Sequence, residues 1–177
     1  MVCASAAIQP PDSYVSTGRA PDNTQKAVAE IRQAERRRIP IEVALQTAAA
    51  YKQGAPVEIT VRVTNLFTAP LVMNRRMLVN HPRLEGEIAF KIIGPDGKAR
   101  PFQRLITPMA IHDDDFVLLP RGQSIQRTVD LGDLYDLKEK GAYQIQVLYR
   151  NDLDQPLGTL RAWKGAVASE ASSLRIE

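Results

Sequence analysis

Val57, Ile59, Val61 and Val63 alternate with Glu58, Thr60, Arg62 and Thr64, and this run constrains the fold more than anything else in the chain. Successive side chains of an extended strand point to opposite faces, so one face of the run enters a core and the other meets water. The same period of two recurs at Ile41, Val43 and Leu45. It returns at Tyr143, Ile145, Val147 and Tyr149, with Leu148 as the one exception. Ile88, Phe90 and Ile92 form a further inward set. Gly94-Pro95-Asp96-Gly97-Lys98 places proline where a turn needs φ near −65° and glycine where it needs positive φ, which predicts a hairpin into Ala99–Gln103.

The remaining strands are shorter or less regular. Leu71 to Val79 is apolar but carries Arg75-Arg76 in its middle, as in a strand broken by a bulge or lying at an edge. Phe116–Leu119 is closed by Pro120-Arg121-Gly122. Ile125 and Val129 share a face with Arg127 between them, the mark of a half-buried strand. Thr159–Trp163 and Ser172–Ile176 complete the set. About nine short strands separated by turn residues predict an all-β chain of antiparallel type, specifically an immunoglobulin-like β-sandwich over residues 41–177. No long helical pattern interrupts them, which excludes βαβ units.

Residues 1–40 read differently. Ala, Ser, Gly and Pro dominate residues 1–21, with Pro10-Pro11 and Pro21 against helix, so a disordered tail is expected. Asp22 and Gln25 then offer an N-cap and its partner, and Lys26 to Arg38 are mostly good helix formers. Ala27, Ile31 and Ala34 make one narrow apolar stripe, Arg36 to Arg38 favour the helix C-terminus, and Pro40 ends it. The segment reads as a short amphipathic helix on a flexible tail, a tether rather than a basic arm for nucleic acid. Net charge is only +3, too small and too spread out to argue for nucleic acid. No stretch approaches the roughly 20 consecutive apolar residues of a membrane-crossing helix.

The single cysteine, Cys3, excludes an intramolecular disulfide. Cys3-Ala4-Ser5 has two readings: the lipidated mature start of a bacterial lipoprotein, or a chance cysteine in a tail.

Several runs carry a family resemblance. Val57 to Asn65 looks like the second strand of many bacterial immunoglobulin-like modules, which an asparagine ends, and Pro120-Arg121-Gly122-Gln123-Ser124-Ile125 resembles the approach to one of their later strands. Leu131-Gly132-Asp133-Leu134-Tyr135-Asp136-Leu137 with Gly141-Ala142-Tyr143 resembles the N-terminal pro-regions of deuterolysin-like metallopeptidases. Arg161-Ala162-Trp163-Lys164-Gly165, followed by Ser169, is similar to the closing strands of secreted proteins built from the same domain. The resemblance covers about residues 41–177 and implies an extracytoplasmic domain in the periplasm, the envelope or the secreted space. It brings no catalytic half, because His-Glu-x-x-His is absent. Either Tyr135 or Tyr143 would serve as the tyrosine that bonds back to the backbone at a sandwich corner, and Tyr143 is in phase with the core.

His112-Asp113-Asp114-Asp115 is the densest group of metal-ligand types, suited to a hard cation such as calcium. Adjacent extended residues point to opposite sides, however, so a solvated acidic loop is expected, with His112, Asp113 and Asp115 the residues to watch. His81 would join His112 only if the fold brought their loops together. There is no nucleophile elbow, phosphate loop or dinucleotide fingerprint. The expectation is a non-enzyme without a cofactor. Arg75 and Arg76 read as guards of an exposed edge, or with Arg104 as a partner-binding loop. Trp163 reads as a packing element that compensates for the missing disulfide, or as a surface aromatic.

Three function classes follow. The favoured one is a binding module that contacts a protein partner through loops or a sheet edge, since the 102–115 and 151–158 loops are long for mere connections. The others are a free-standing inhibitor or regulator of a peptidase, and a structural module tethered through residues 1–40. No nucleic-acid contact is expected, and a membrane only through a lipid at Cys3.

Overall fold

The computed structural model describes residues 40–80, 86–104, 110–153 and 156–177, all within the unit Ile39–Glu177. The expected tail and helix, Cys3 and His81 lie outside them. The described residues form β1 (Ile41–Thr47), β2 (Ala50–Tyr51), β3 (Glu58–Asn65), β4 (Leu71–Asn74), β5 (Ile88–Ile93), β6 (Phe116–Leu119), β7 (Ser124–Asp130), β8 (Gly141–Asn151), β9 (Pro156–Leu157), β10 (Leu160–Arg161), β11 (Gly165–Ala168) and β12 (Ser172–Ile176). Nine of these twelve have four residues or more. The single helical turn among them is a 3₁₀ turn at Asp113–Asp115.

One antiparallel sheet runs β1-β3-β7. A second centres on β8, which pairs with β5 on one side and with β12 and then β11 on the other. The alternating residues of β3 and β8 have the roles that the sequence implies. Ile59, Val61, Val63, Tyr143, Val147 and Tyr149 are fully buried, and they join Ile88, Phe90 and Ile92 in one apolar cluster drawn from both sheets. The chain crosses between sheets early, because β1 pairs with β3 while β2 pairs in parallel with β12.

β11 and β12 are one strand with a bulge. Ala168 opposes Leu148 and Ser172 opposes Ile145, so one extra residue intervenes on this side. Buried Ser169 secures the irregularity: its N–H donates to Val147 O at 2.8 Å, and its Oγ accepts the Val147 N–H at 3.1 Å.

Both candidate tyrosines bond to backbone. Tyr143 OH donates to Glu139 O at 2.7 Å, four residues upstream, and Tyr135 OH donates to Phe90 O at 3.2 Å. Burial pushes the Tyr135 phenol up from 10.0 to about 12, with the Phe90 bond opposing the shift. Unfolded tyrosine ionises near pH 10, while the folded phenol keeps its proton to about pH 12. The resulting stability is therefore complete below pH 10 and is lost as pH rises from there through about 12. Denaturant midpoints followed across that window should fall less steeply in Tyr135→Phe than in the parent. Tyr149, raised in the same direction by burial, retains part of the slope in both.

Three expected strands differ, and one strand was not expected. The Leu71–Val79 strand stops at Asn74, because the Asn74 side chain accepts the Arg76 N–H at 3.0 Å and Met77 takes a positive φ of 48°. Ala99–Gln103 makes only isolated bridges at Ala99 and Phe102. Thr159–Trp163 contributes just Leu160–Arg161 and a bridge from Ala162, whereas Gly165–Ala168, for which the sequence predicts no strand, is one. The 151–158 loop contains β9 and so forms a small hairpin with β10.

Candidate functional site

The end of β3 is held by Asn65, whose side chain is buried. Its Nδ2 donates to Leu119 O at 2.8 Å and Ala69 O at 3.0 Å, and its Oδ1 accepts the Phe67 N–H at 2.8 Å. Pro40 O accepts the N–H groups of Leu66 and Phe67 at 2.8 and 3.1 Å. The backbone here is thus fixed while the side chains of Leu66 and Phe67 face outward, 51% and 48% exposed.

Hydrogen bonds carry this end of the molecule across to the second sheet. Leu71 opposes Leu119, Val72 bridges Ala162, and Trp163 N–H donates to Val72 O at 2.8 Å. Asn151, at the end of β8, donates from Nδ2 to Trp163 O at 2.6 Å. Beneath the β9–β10 hairpin, Val72, Phe116 and Ala162 form a separate small cluster against Leu153. Around it stand Leu118, Leu157 and Leu160, all exposed. Five of the six exposed large apolar side chains among the described residues therefore lie at this one end. Scattered apolar side chains on a surface are ordinary, whereas a group at one end of a hydrogen-bonded scaffold is the kind of surface that burial against another molecule would stabilise. Each such side chain gains about 1.5–3 kcal/mol on full burial.

No known protein family matches the chain, and no curated protein is similar enough to count as a relative. The chemistry of this surface must be read from its residues. Leucine and phenylalanine offer no acid, base or nucleophile, so what it can do is exclude water against another apolar surface.

The residues singled out in the sequence are placed elsewhere. His112 and Asp115 close their own turn, with the His112 N–H donating to Asp115 Oδ2 at 2.9 Å. Among the described residues no three His, Cys, Asp or Glu side chains converge to hold a metal ion. Arg76 is not an edge guard. Its Nη2 lies 2.6 Å from Glu87 Oε1, with side chains 12% and 5% exposed. Glu87 also accepts Asn74 Nδ2 at 3.1 Å and the Leu78 N–H at 2.8 Å. Arg75 is exposed and donates from Nε to Asp114 O at 2.9 Å. Arg104 faces Asp133 at 3.8 Å, so the three arginines do not form one surface. Trp163 is half-buried and stacks on Tyr149 at 6.1 Å, a packing role.

At the opposite end, Lys52, Gln103, Asp130, Asp133, Asp136 and Lys138 line a groove of about 450 Å³. Its charges nearly balance, and Asp130 Oδ1 already accepts the N–H groups of Val57 and Gly132, each at 2.9 Å. Sequence reasoning missed Glu87 and all five apolar surface residues. The signals present were apolar Leu66-Phe67 just past a strand-ending asparagine, and leucines flanking Gly158-Thr159 at a hairpin tip.

Proposed function

We propose that residues 41–177 are an immunoglobulin-like, non-enzymatic binding module of the bacterial envelope or secreted space, which grips a protein partner with its apolar loop end. The observation that carries this reading is the gathering of Leu66, Phe67, Leu118, Leu157 and Leu160 on loops and strand ends that hydrogen bonds hold in place.

The immunoglobulin-like assignment has support in the pairing. If β1, β3 and β7 are strands A, B and E, and β5, β8 and β12 are C, F and G, the pairing order matches two parts of such a sandwich, with no strand D beside β7 among the described residues. Tyr143, near the start of β8, bonds four residues upstream as a corner tyrosine does. The loop end is then the one bearing the B–C and F–G loops, which antibody variable domains use for recognition. The extracytoplasmic placement rests on the resemblance of the strand sequences, and Cys3 is the candidate lipid anchor. Among the described residues no helix is long and apolar enough to cross a membrane.

The test is a comparison of baits in an envelope extract. The parent should recover a defined partner, which the triple variant Phe67→Ser, Leu157→Ser, Leu160→Ser should lose while keeping its melting transition. Gln126→Ala, on an exposed strand position, should behave as the parent. Equal recovery by parent and triple variant would remove the loop end from consideration. Tight inhibition across a panel of metallo- and serine peptidases would replace this reading with the inhibitor one.

A further inference from the structure

The outer side of β7 is an open edge, where the immunoglobulin-like reading would put strand D. Asn65 N–H donates to Gln123 O at 3.0 Å and Leu131 N–H to Val57 O at 2.9 Å, which sets the phase of the β3–β7 ladder. Ile125, Arg127 and Val129 therefore turn their backbone groups toward β3, and Ser124, Gln126 and Thr128 turn theirs outward. All three outward residues are exposed. Among the described residues no strand pairs with that side and no backbone bond reaches it. The edge of β5 is different, since Ile88 N–H donates to Leu78 O at 3.0 Å and Arg100 N–H to Ile92 O at 2.8 Å.

Arg127 supplies the second observation. It stands opposite fully buried Val61, and so on the core-facing side, between half-buried Ile125 and buried Val129. Arg127 itself is exposed, so its side chain runs out to the rim. There Nη1 donates to Arg76 O at 2.9 Å, which anchors the guanidinium. No carboxylate pairs with it among the described residues. Glu87 holds Arg76 instead. Asp130 lies on the opposite face of β7, its Oδ1 taken up by the Val57 and Gly132 N–H groups. An inward-facing cation beside an open edge turns away an ordinary apolar strand, and turns away a second cation more strongly. A strand that brings an acid to that position is accepted.

We propose that the outer edge of β7 takes an extended acidic segment of a protein partner as an added antiparallel strand. Ser124, Gln126 and Thr128 supply its backbone bonds. Arg127 falls in a non-hydrogen-bonded pair of the new ladder, where side chains stand closest, and the residue opposite it is Asp or Glu. The residues opposite Ile125 and Val129 are apolar and extend the covered face of the sheet. Those opposite Gln126 and Thr128 are polar and meet water. The recognised pattern is thus apolar, polar, acidic, polar, apolar. This contact is independent of the one at the apolar loop end.

The probe is a synthetic peptide, acetyl-Gly-Ser-Val-Thr-Glu-Thr-Val-Ser-Gly-amide, titrated into the isotope-labelled full chain and followed by amide NMR. Binding should shift the Ser124, Gln126 and Thr128 amides with a Kd on the order of 0.1–1 mM, as suits one added strand. Lysine in place of the peptide's glutamate should weaken binding about fivefold or more, since an opposite pair becomes a like pair. Arg127→Glu should reverse that preference. Gln126→Pro should abolish binding, because that N–H points outward and the β3–β7 ladder does not use it. Circular-dichroism melting verifies that each variant is folded. The triple variant Phe67→Ser, Leu157→Ser, Leu160→Ser should bind the peptide as the parent does, so failure of the edge and failure of the loop end are separate results. Absence of shifts well above that Kd overturns the proposal, as does equal binding of the glutamate and lysine peptides. Outward β7 amides protected from exchange in the free chain would mean that another segment or a second copy fills the edge, and would overturn it equally.

Discussion

Glu87→Ala is expected to lower unfolding stability by about 3–5 kcal/mol, read from urea or guanidinium transitions. Removing one partner of a buried ion pair leaves the other charge desolvated without compensation, and that cost falls in this range. The Glu87 side chain is only 5% exposed and accepts from Arg76, from Asn74 and from the Leu78 backbone. These bonds hold the irregular stretch after β4, whose positions the rest of the fold uses. Arg127, on β7, donates to Arg76 O at 2.9 Å, and Tyr149, on β8, donates to Asn74 O at 2.9 Å. The segment therefore ties one sheet to the other. Glu87→Leu combined with Arg76→Met should recover much of the loss, since apolar residues of similar volume often replace a buried pair without penalty. A loss under about 1 kcal/mol in Glu87→Ala would mean that the carboxylate is solvated.

Ile59→Ala should cost about 2–4 kcal/mol, the transfer term plus a cavity that the packed interior only partly closes. Ile59 is fully buried near the start of β3, with β1 on one side and β7 on the other. Val147→Ala, on the facing sheet, removes less side chain and should cost somewhat less. Glu58→Ala, on the exposed face, should stay within about 0.5 kcal/mol. Gln146 alternates with the core residues of β8 yet is not a neutral control. Its Nε2 donates to Ser169 O at 2.9 Å, so its loss should cost about 1 kcal/mol. Equal effects at Ile59 and Glu58 would mean that the faces of β3 are misassigned.

The contrast between Glu58 and Gln146 marks what the sequence carried. Period-two alternation encodes which face of a strand is buried, so β1, β3, β5 and β8 were legible residue by residue. Turn chemistry was legible as well, with Gly97 and Gly122 both at positive φ. What alternation cannot encode is a partner brought by tertiary register. Arg75-Arg76 looked like two surface cations in an apolar run, because nothing local links Arg76 to a glutamate eleven positions away. The bulge at Ser169 was hidden for the same reason: its extra residue exists only relative to β8. The loop end escaped because exposed leucines at a hairpin tip and buried leucines in a strand look alike until the fold separates them.

The early crossing between sheets has a mechanical consequence. β1 runs away from the loop end, and β2, beyond it, lies parallel to β12. The last residue is clamped there too: Glu177 N–H donates to Tyr51 O at 2.9 Å, and Gln53 N–H donates to Glu177 O at 2.8 Å. Tension applied between residue 40 and residue 177 pulls these strands along their own length. The bonds of both seams then bear the load together in shear, instead of opening one after another like a zip.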